Sequence, residues 1–337
     1  HMRNLRRGLI LKTVKKQLDG SIKDIRLNDL LEPLMNQAEE VGLFKPSDTP
    51  KDKQKRMATW LMQEFSPLDR RISLEGLGLL SFDPVIETSW ANFLSDPPLN
   101  LTAKETYNLL RFMLNTLRYR GAISYLLPDQ NIYKEDEFSP RNRRQFFRYE
   151  EADPKVGVLS WMPKEGHENS RSDYLRRLLT SKGVVESEAK KMSLGLLDSI
   201  WQFLINSAWT PLIETYQLNH KTGYVKSLKH EMWRVELPNE NLDGWMICDR
   251  CKNIYPEGVG DVCMTYFCTG KLEPLGKHKE DLEKNLYRNN YKKNNLIPLD
   301  AEEHTAQWTA KKAAEVQSQF INGEINLLSC STTFELG

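Results

Sequence analysis

The chain has 337 residues, enough for two or three domains that each bury a core, and its 47 Lys and Arg against 46 Asp and Glu leave a net charge of +1. That balance excludes a global attraction to nucleic acid or membrane and confines any such binding to local patches. With 39% hydrophobic and 28% charged residues, no apolar run near 18 residues and no signal-peptide pattern, the composition is that of a cytoplasmic globular protein without a membrane partner.

The first stretch, residues 1–165, reads as a mostly helical insert. Apolar periodicity predicts helices over 9–18, 30–38 and 58–65, and most strongly over 102–119, where Leu109, Leu110, Met113, Leu114 and Leu117 share a face. Thr102 with Glu105 three positions later makes a capping box at its start. The run RRISLEGLGLLSF, residues 70–82, predicts a helix that ends at Gly76 or Gly78 and enters a short strand. RNRRQFFRY, residues 141–149, sets Arg141, Arg143 and Arg144 beside Phe146, Phe147 and Tyr149. That mixture suits backbone contact with base stacking, and equally a solvated charged face.

Residues 166–240 carry two apolar helical segments, 174–179 and 193–205, the latter with Leu194, Leu197, Ile200, Trp201 and Leu204 on one face. Two short extended runs follow, near 210–216 and 223–228. Helices followed by a small hairpin predict a winged-helix-like module, a unit that lies against DNA in some proteins and only packs in others.

Four of the five cysteines fall within 21 residues, in a stretch (241–275) that reads as a ribbon. Cys248 and Cys251 form C-x2-C, Cys263 and Cys268 form C-x4-C, and eleven residues separate the pairs. Two such turns supply four thiolates to one tetrahedral zinc, which closes the coordination sphere and makes the site structural. The alternatives are free thiols in an apolar core, a redox pair at Cys248 and Cys251, or a histidine (His230 or His278) replacing one cysteine. Cys330, far along the chain, reads as a buried small hydrophobe.

Residues 276–295, rich in lysine, read as a charged linker or solvated helix. The last stretch, 296–337, holds LDAEEHTAQ, then a helical pattern over 308–320 with Ala310, Ala313, Val316 and Phe320 on one face, an Asn322-Gly323 break, and an apolar strand ending in Ser331, Thr332 and Thr333. In α/β sheets ligands collect at the carboxyl ends of strands, so a site belongs there. AEEHTAQ also reads as the first turn of a helix capped by Asp300. Because the chain stops inside its likeliest site, and begins with a His1-Met2 that looks like a cloning scar, it reads as a piece of something larger.

LDAEEHTAQ, the helix after it and FINGEINLLSCSTTFELG resemble the second RecA-type domain of superfamily 2 helicases, most of all the large bacterial DEAD/DEAH-type helicases of antiphage defence loci such as the Druantia and DISARM systems. Those proteins carry a similar Trp-x-x-Cys-x-x-Cys ribbon, here Trp245, Cys248 and Cys251, before their AEEHTAQ segment. The resemblance implies an α+β, predominantly helical chain holding the insert, the winged-helix-like module, the ribbon and a partial α/β RecA-type segment. It implies that His304, Thr305 and Gln307 face a nucleic-acid strand, DNA or else RNA, where they can donate to phosphate or sugar oxygens, and that Thr332, Thr333 and Gly337 form a second contact set. Other defence-system subunits are further implied partners. ATP and magnesium are expected only for a full-length parent, because the sequence has no G-x-x-x-x-G-K-[ST] and no DEAD-like acidic box. No catalytic residue is therefore assigned. The rival readings are a stand-alone zinc-ribbon and winged-helix regulator of nucleic acid, and a protein-docking insert.

Overall fold

The computed structural model describes residues 2–19, 24–86, 92–127, 144–206, 212–218, 223–293, 298, 301–304 and 308–330. The chain is mixed α and β. Helices α1 (Met2–Asp19), α2 (Leu31–Glu40) and α3 (Pro50–Phe65) open it, followed by strand β1 (Ser81–Pro84) and helix α4 (Ala103–Arg118). Strands β2 (Phe146–Arg148) and β3 (Val158–Ser160) precede helices α5 (Ser170–Ser181) and α6 (Glu186–Asn206). Then come β4 (Ile213–Gln217), β5 (Tyr224–Leu228), β6 (Trp233–Glu236), and the ribbon strands β7 (Trp245–Cys248), β8 (Ile254–Pro256) and β9 (Leu272–Pro274). Helices α7 (Lys279–Lys284) and α8 (Leu286–Lys293), strand β10 (Ala301–His304), helix α9 (Ala310–Ile321) and strand β11 (Leu327–Cys330) complete it. Among the described residues no helix is long and apolar enough to cross a membrane.

Local chemistry accounts for the helix starts. The Glu105 amide donates to Thr102 Oγ1 at 3.2 Å while the Thr102 amide donates to Glu105 at 3.0 Å, the reciprocal cap read from the sequence. Helix α3 begins at Pro50, eight residues before the apolar pattern does, because Thr49 and Asp52 cap it and its first turns are lysine-rich and mostly exposed.

The strands tie distant segments together. β1 pairs antiparallel with β6, and β2 lies between β3 and β5 in a four-stranded sheet of order β3-β2-β5-β4. The β4–β5 hairpin therefore shares its sheet with strands that precede residue 165. A two-stranded hairpin is marginal in water, and this one gains two more strands and a helical backing: Phe147 and Tyr149 pack on Trp201 of α6. Within the span 276–295 the described residues, to Lys293, are no loose linker either. Its helix α8 packs on α1, buries Tyr291 and Arg288, and donates from Arg288 to the carbonyls of Leu77 and Gly78.

Residues 70–82 depart from the predicted helix. After a single 3-10 turn at Arg70–Ile72 the chain winds through tight turns and enters β1. Leu74, Leu77, Leu79 and Leu80 are all buried, so the apolar residues face every direction and no single helical face could satisfy them. A Cβ at Gly76 would sit 1.6 Å from the Arg70 carbonyl oxygen, which only glycine avoids.

This winding segment is held by buried charge. Glu75 and Arg118, 1% and 0% exposed, pair at 2.5 Å; Tyr119 donates to the same carboxylate at 2.6 Å and the Phe82 amide donates to its other oxygen. Arg118 also packs against the rings of Phe65, Phe82, Tyr119 and Trp233. Burial alone would raise the Glu75 carboxyl, but Arg118, Arg70 and the Tyr119 hydroxyl hold it below its usual value. A depressed carboxylate contributes stability above its unfolded value and loses it as pH falls through the folded one. We expect Glu75→Ala, which strands a buried guanidinium, to lower the unfolding free energy by about 3–5 kcal/mol in urea titrations. We also expect it to flatten the wild-type loss of stability below about pH 4.5.

Candidate metal centre

The ribbon is a three-stranded antiparallel sheet with β7 in the middle, and its turns carry the cysteines. Cys248 ends β7, and the chain reverses through Cys251 to Lys252, whose φ of +59° and amide bond to the Cys248 carbonyl close the first turn. Cys263 and Cys268 flank the second turn, just before β9. The four sulfurs lie within 4.8 Å of one another. Cys248 and Cys268 are 3.7 Å apart and Cys251 and Cys263 are 3.6 Å apart. A tetrahedron with metal–sulfur bonds of about 2.3 Å has edges of about 3.8 Å, whereas a disulfide holds its sulfurs about 2.05 Å apart. The cysteines are free of disulfides, and the cluster could hold a metal ion with a geometry consistent with zinc.

The surroundings favour thiolates once a cation is bound. Backbone amides of Cys251, Thr265 and Gly270 each donate to a cluster sulfur at 3.4 Å. Burial pushes the Cys248 and Cys263 thiols up, whereas at Cys251 the bonds from Thr265 and the Asn253 amide overcome burial and bring it down to about 7. The approach of β9 is close: a Cβ on Gly270 would lie 2.5 Å from Cys248 Sγ. Neither histidine joins the set. His230 Nδ1 is 2.7 Å from Ser124 Oγ, and His278 stands beside Glu273 and Asp281.

Helix α5 grips the second turn. Arg177 donates to the carbonyls of Cys263, Cys268 and Thr265 at 2.7, 2.9 and 3.1 Å, and fully buried Asp173 accepts from the Phe267 amide at 3.1 Å while pairing with Arg177. From the other side Arg70 donates to the Ile254 carbonyl and lies between the rings of Tyr119 and Tyr255. Sequence reading missed Asp173, Arg177 and Gly270. Only the glycine two residues after Cys268 offered a local signal; the arginine stands 86 positions before Cys263.

The remaining predicted residues have different fates. Arg144 packs against the rings of Tyr125, Phe146 and Tyr216. Phe147 is fully buried and serves packing, while Tyr149 is partly buried and donates to Asp198. Arg141, Arg143, Thr305, Gln307, Thr332, Thr333 and Gly337 lie outside the described residues, as do the side chains of His304 and Cys330. The backbone of 301–304 is a strand and not the first turn of a helix, because it pairs in parallel with β11 from Ala301↔Leu327 to His304↔Cys330. No family model, curated protein or solved structure matches the chain.

Purified protein is expected to carry about one zinc per chain by elemental analysis. Gly270→Ala should weaken retention against a chelator at least ~10-fold, as disturbing the surroundings of a metal typically does, and Cys263→Ser should abolish it.

Proposed function

We propose that this chain is the nucleic-acid-handling, motor-coupling part of a superfamily 2 helicase-like ATPase of the kind that serves bacterial phage defence, with a zinc ribbon as its structural staple. The observation that carries the reading is the unit β10–α9–β11. Its strands are parallel and joined by a crossover helix, so β10 and β11 end side by side, His304 beside Cys330. The carboxyl ends of strands are where α/β sheets place ligands. The described parts of both motifs are thereby neighbours, although 26 positions separate the paired residues His304 and Cys330.

Two further features support it. A two-stranded parallel pair is not stable by itself, and Phe320, Ile321 and Leu327 are exposed on it, which fits a sheet completed by other strands. The interleaving of β2 with the β4–β5 hairpin weighs against a free-standing winged-helix regulator, whose wing would have to stand alone. In this reading zinc, once bound, cross-links the two turns of the ribbon. Arg177 and Asp173 transmit that rigidity to α5, and ATP chemistry belongs to parts with a phosphate loop.

Fluorescence anisotropy with a labelled single-stranded oligonucleotide tests the proposal. We expect measurable affinity that weakens roughly tenfold or more when salt is raised about fourfold, since phosphate contacts release counterions. No ATP hydrolysis is expected from the clean protein. Robust hydrolysis, or no affinity at any salt, overturns it.

A further inference from the structure

A cleft of about 720 Å³ opens between α4, the β2–β3 pair, the start of α5 and the outer face of the ribbon. No motif marks it, and its lining is unusual in charge. Four arginines (Arg70, Arg111, Arg120 and Arg171) meet only two carboxylates, Glu168 and Glu257. Both carboxylates are already engaged by residues outside the lining, Glu168 by Arg176 and Glu257 by Lys104, each at 2.7 Å.

The arginines are in a state that calls for an anion. Arg171 is 5% exposed, yet every oxygen it meets is neutral: the carbonyls of Ser160 and Trp161 and the hydroxyl of Thr116. A buried charge with no opposite partner is costly, and the guanidinium of Arg120 next to it adds repulsion. Arg120 itself is exposed and makes no ion pair among the described residues. Arg111, 6% exposed, spends Nη1 on Asp83 and leaves Nη2 with no hydrogen-bond partner; Nε of Arg70 and Oδ1 of Asn108 are likewise buried and unsatisfied. Native structures leave few such atoms, so three lining groups in this state point to a ligand with acceptor oxygens and at least one donor. Tyr119, Phe112, Tyr255 and Tyr266 add aromatic wall.

From this convergence we infer that the cleft binds a phosphate-bearing nucleotide unit, with Arg120 and Arg171 on the phosphate and Asn108 on a ligand hydroxyl or amino group. Arg120 offers a planar guanidinium fork to paired phosphate oxygens, Arg171 adds its uncancelled charge and one remaining Nη1 hydrogen, and the volume lies within the range of small-ligand sites. The unit could belong to a nucleic-acid strand, which deepens the function proposed above, or to a free nucleotide, which does not depend on it.

The test uses the full chain with its metal, a labelled single-stranded oligonucleotide by anisotropy, and adenosine monophosphate and pyrophosphate by calorimetry. Arg120→Glu, on an exposed residue, is expected to weaken the bound probe at least tenfold, with unchanged zinc content and melting temperature. Arg171→Lys keeps the charge but loses the Nη1 hydrogen, and is expected to weaken binding several-fold. Lys12→Ala, on exposed helix surface away from the cleft, serves as control and should leave binding unchanged. Oligonucleotide binding that neither arginine variant alters overturns the cleft and leaves the nucleic-acid reading standing. Binding of the small phosphates alone, lost in Arg120→Glu, upholds the cleft and removes that reading. No binding of any probe overturns both.

Discussion

The ion pair between Glu75 and Arg118 is the constraint on which the rest of the molecule depends. A winding segment, residues 70–82, runs through the core, where its amides and carbonyls have no ladder of their own. Side chains stand in for that ladder. Glu64 accepts from the Leu74 amide, Glu75 accepts from Phe82, Ser73 Oγ accepts from Gly76, and Arg288 donates to Leu77 and Gly78. Glu64 comes from α3 and Arg288 from α8, and Arg118 of α4 pairs with Glu75, so three helices are positioned against one segment. Buried pairs of this kind contribute little net stability, because desolvation offsets attraction. Their effect is on arrangement, since any register that separates Glu75 from Arg118 leaves two buried charges exposed to low dielectric.

The same segment also reaches the ribbon. Arg70 holds the Ile254 carbonyl and lies between Tyr119 of the helical part and Tyr255 of the ribbon, while Tyr255 in turn touches Thr265 and Cys263. A second link runs from α5 through Arg177 to three carbonyls of the C-x4-C turn. The ribbon has only a small apolar cluster apart from the main core: Leu242, Trp245, Ile254, Leu275 and Leu282. Tyr255, Val259, Met264 and Leu272 join the main core, so packing and these two arginine grips order the ribbon, and a metal at the cysteines would add a cross-link. One guanidinium fixes each side of it.

What could be read from the sequence divides along the range of the interactions. The Thr102–Glu105 cap, the face of α4 and the spacing of the cysteines are set within a few residues, and the structure bears them out. The early start of α3 escaped because its first turns are charged and carry no apolar period. The winding of 70–82 escaped for the opposite reason, since Glu75 and Arg118 stand 43 positions apart and nothing local announces their pairing. At 301–304 a segment with helix-like acidic residues became a strand once β11 was beside it, a case of tertiary context overriding local preference. In the stretch around Phe146, one ring, Phe147, went into the core beneath the four-stranded sheet, against Trp201.

The cleft lies where these arrangements meet, which explains why Arg70 and Arg171 can be held there by neutral oxygens while Arg111 keeps one carboxylate partner. Arg111 is fixed by Asp83 of β1, Arg70 by the Ile254 carbonyl of the ribbon and Arg171 by carbonyls of the β3 edge. Neutral oxygens hold the geometry of Arg171 without cancelling its charge. An acidic residue in place of any of those carbonyls would stabilise the empty state and close the site to an anion. In the proposed reading an anion in the cleft would offset the cost of burying Arg171, and the ribbon supplies the opposite wall through Tyr255, Pro256 and Tyr266. Cysteine cluster, buried charge and cleft are consequently one mechanical unit: a metal at the cysteines would brace the wall, and Arg70 and Arg177 register it against the helices.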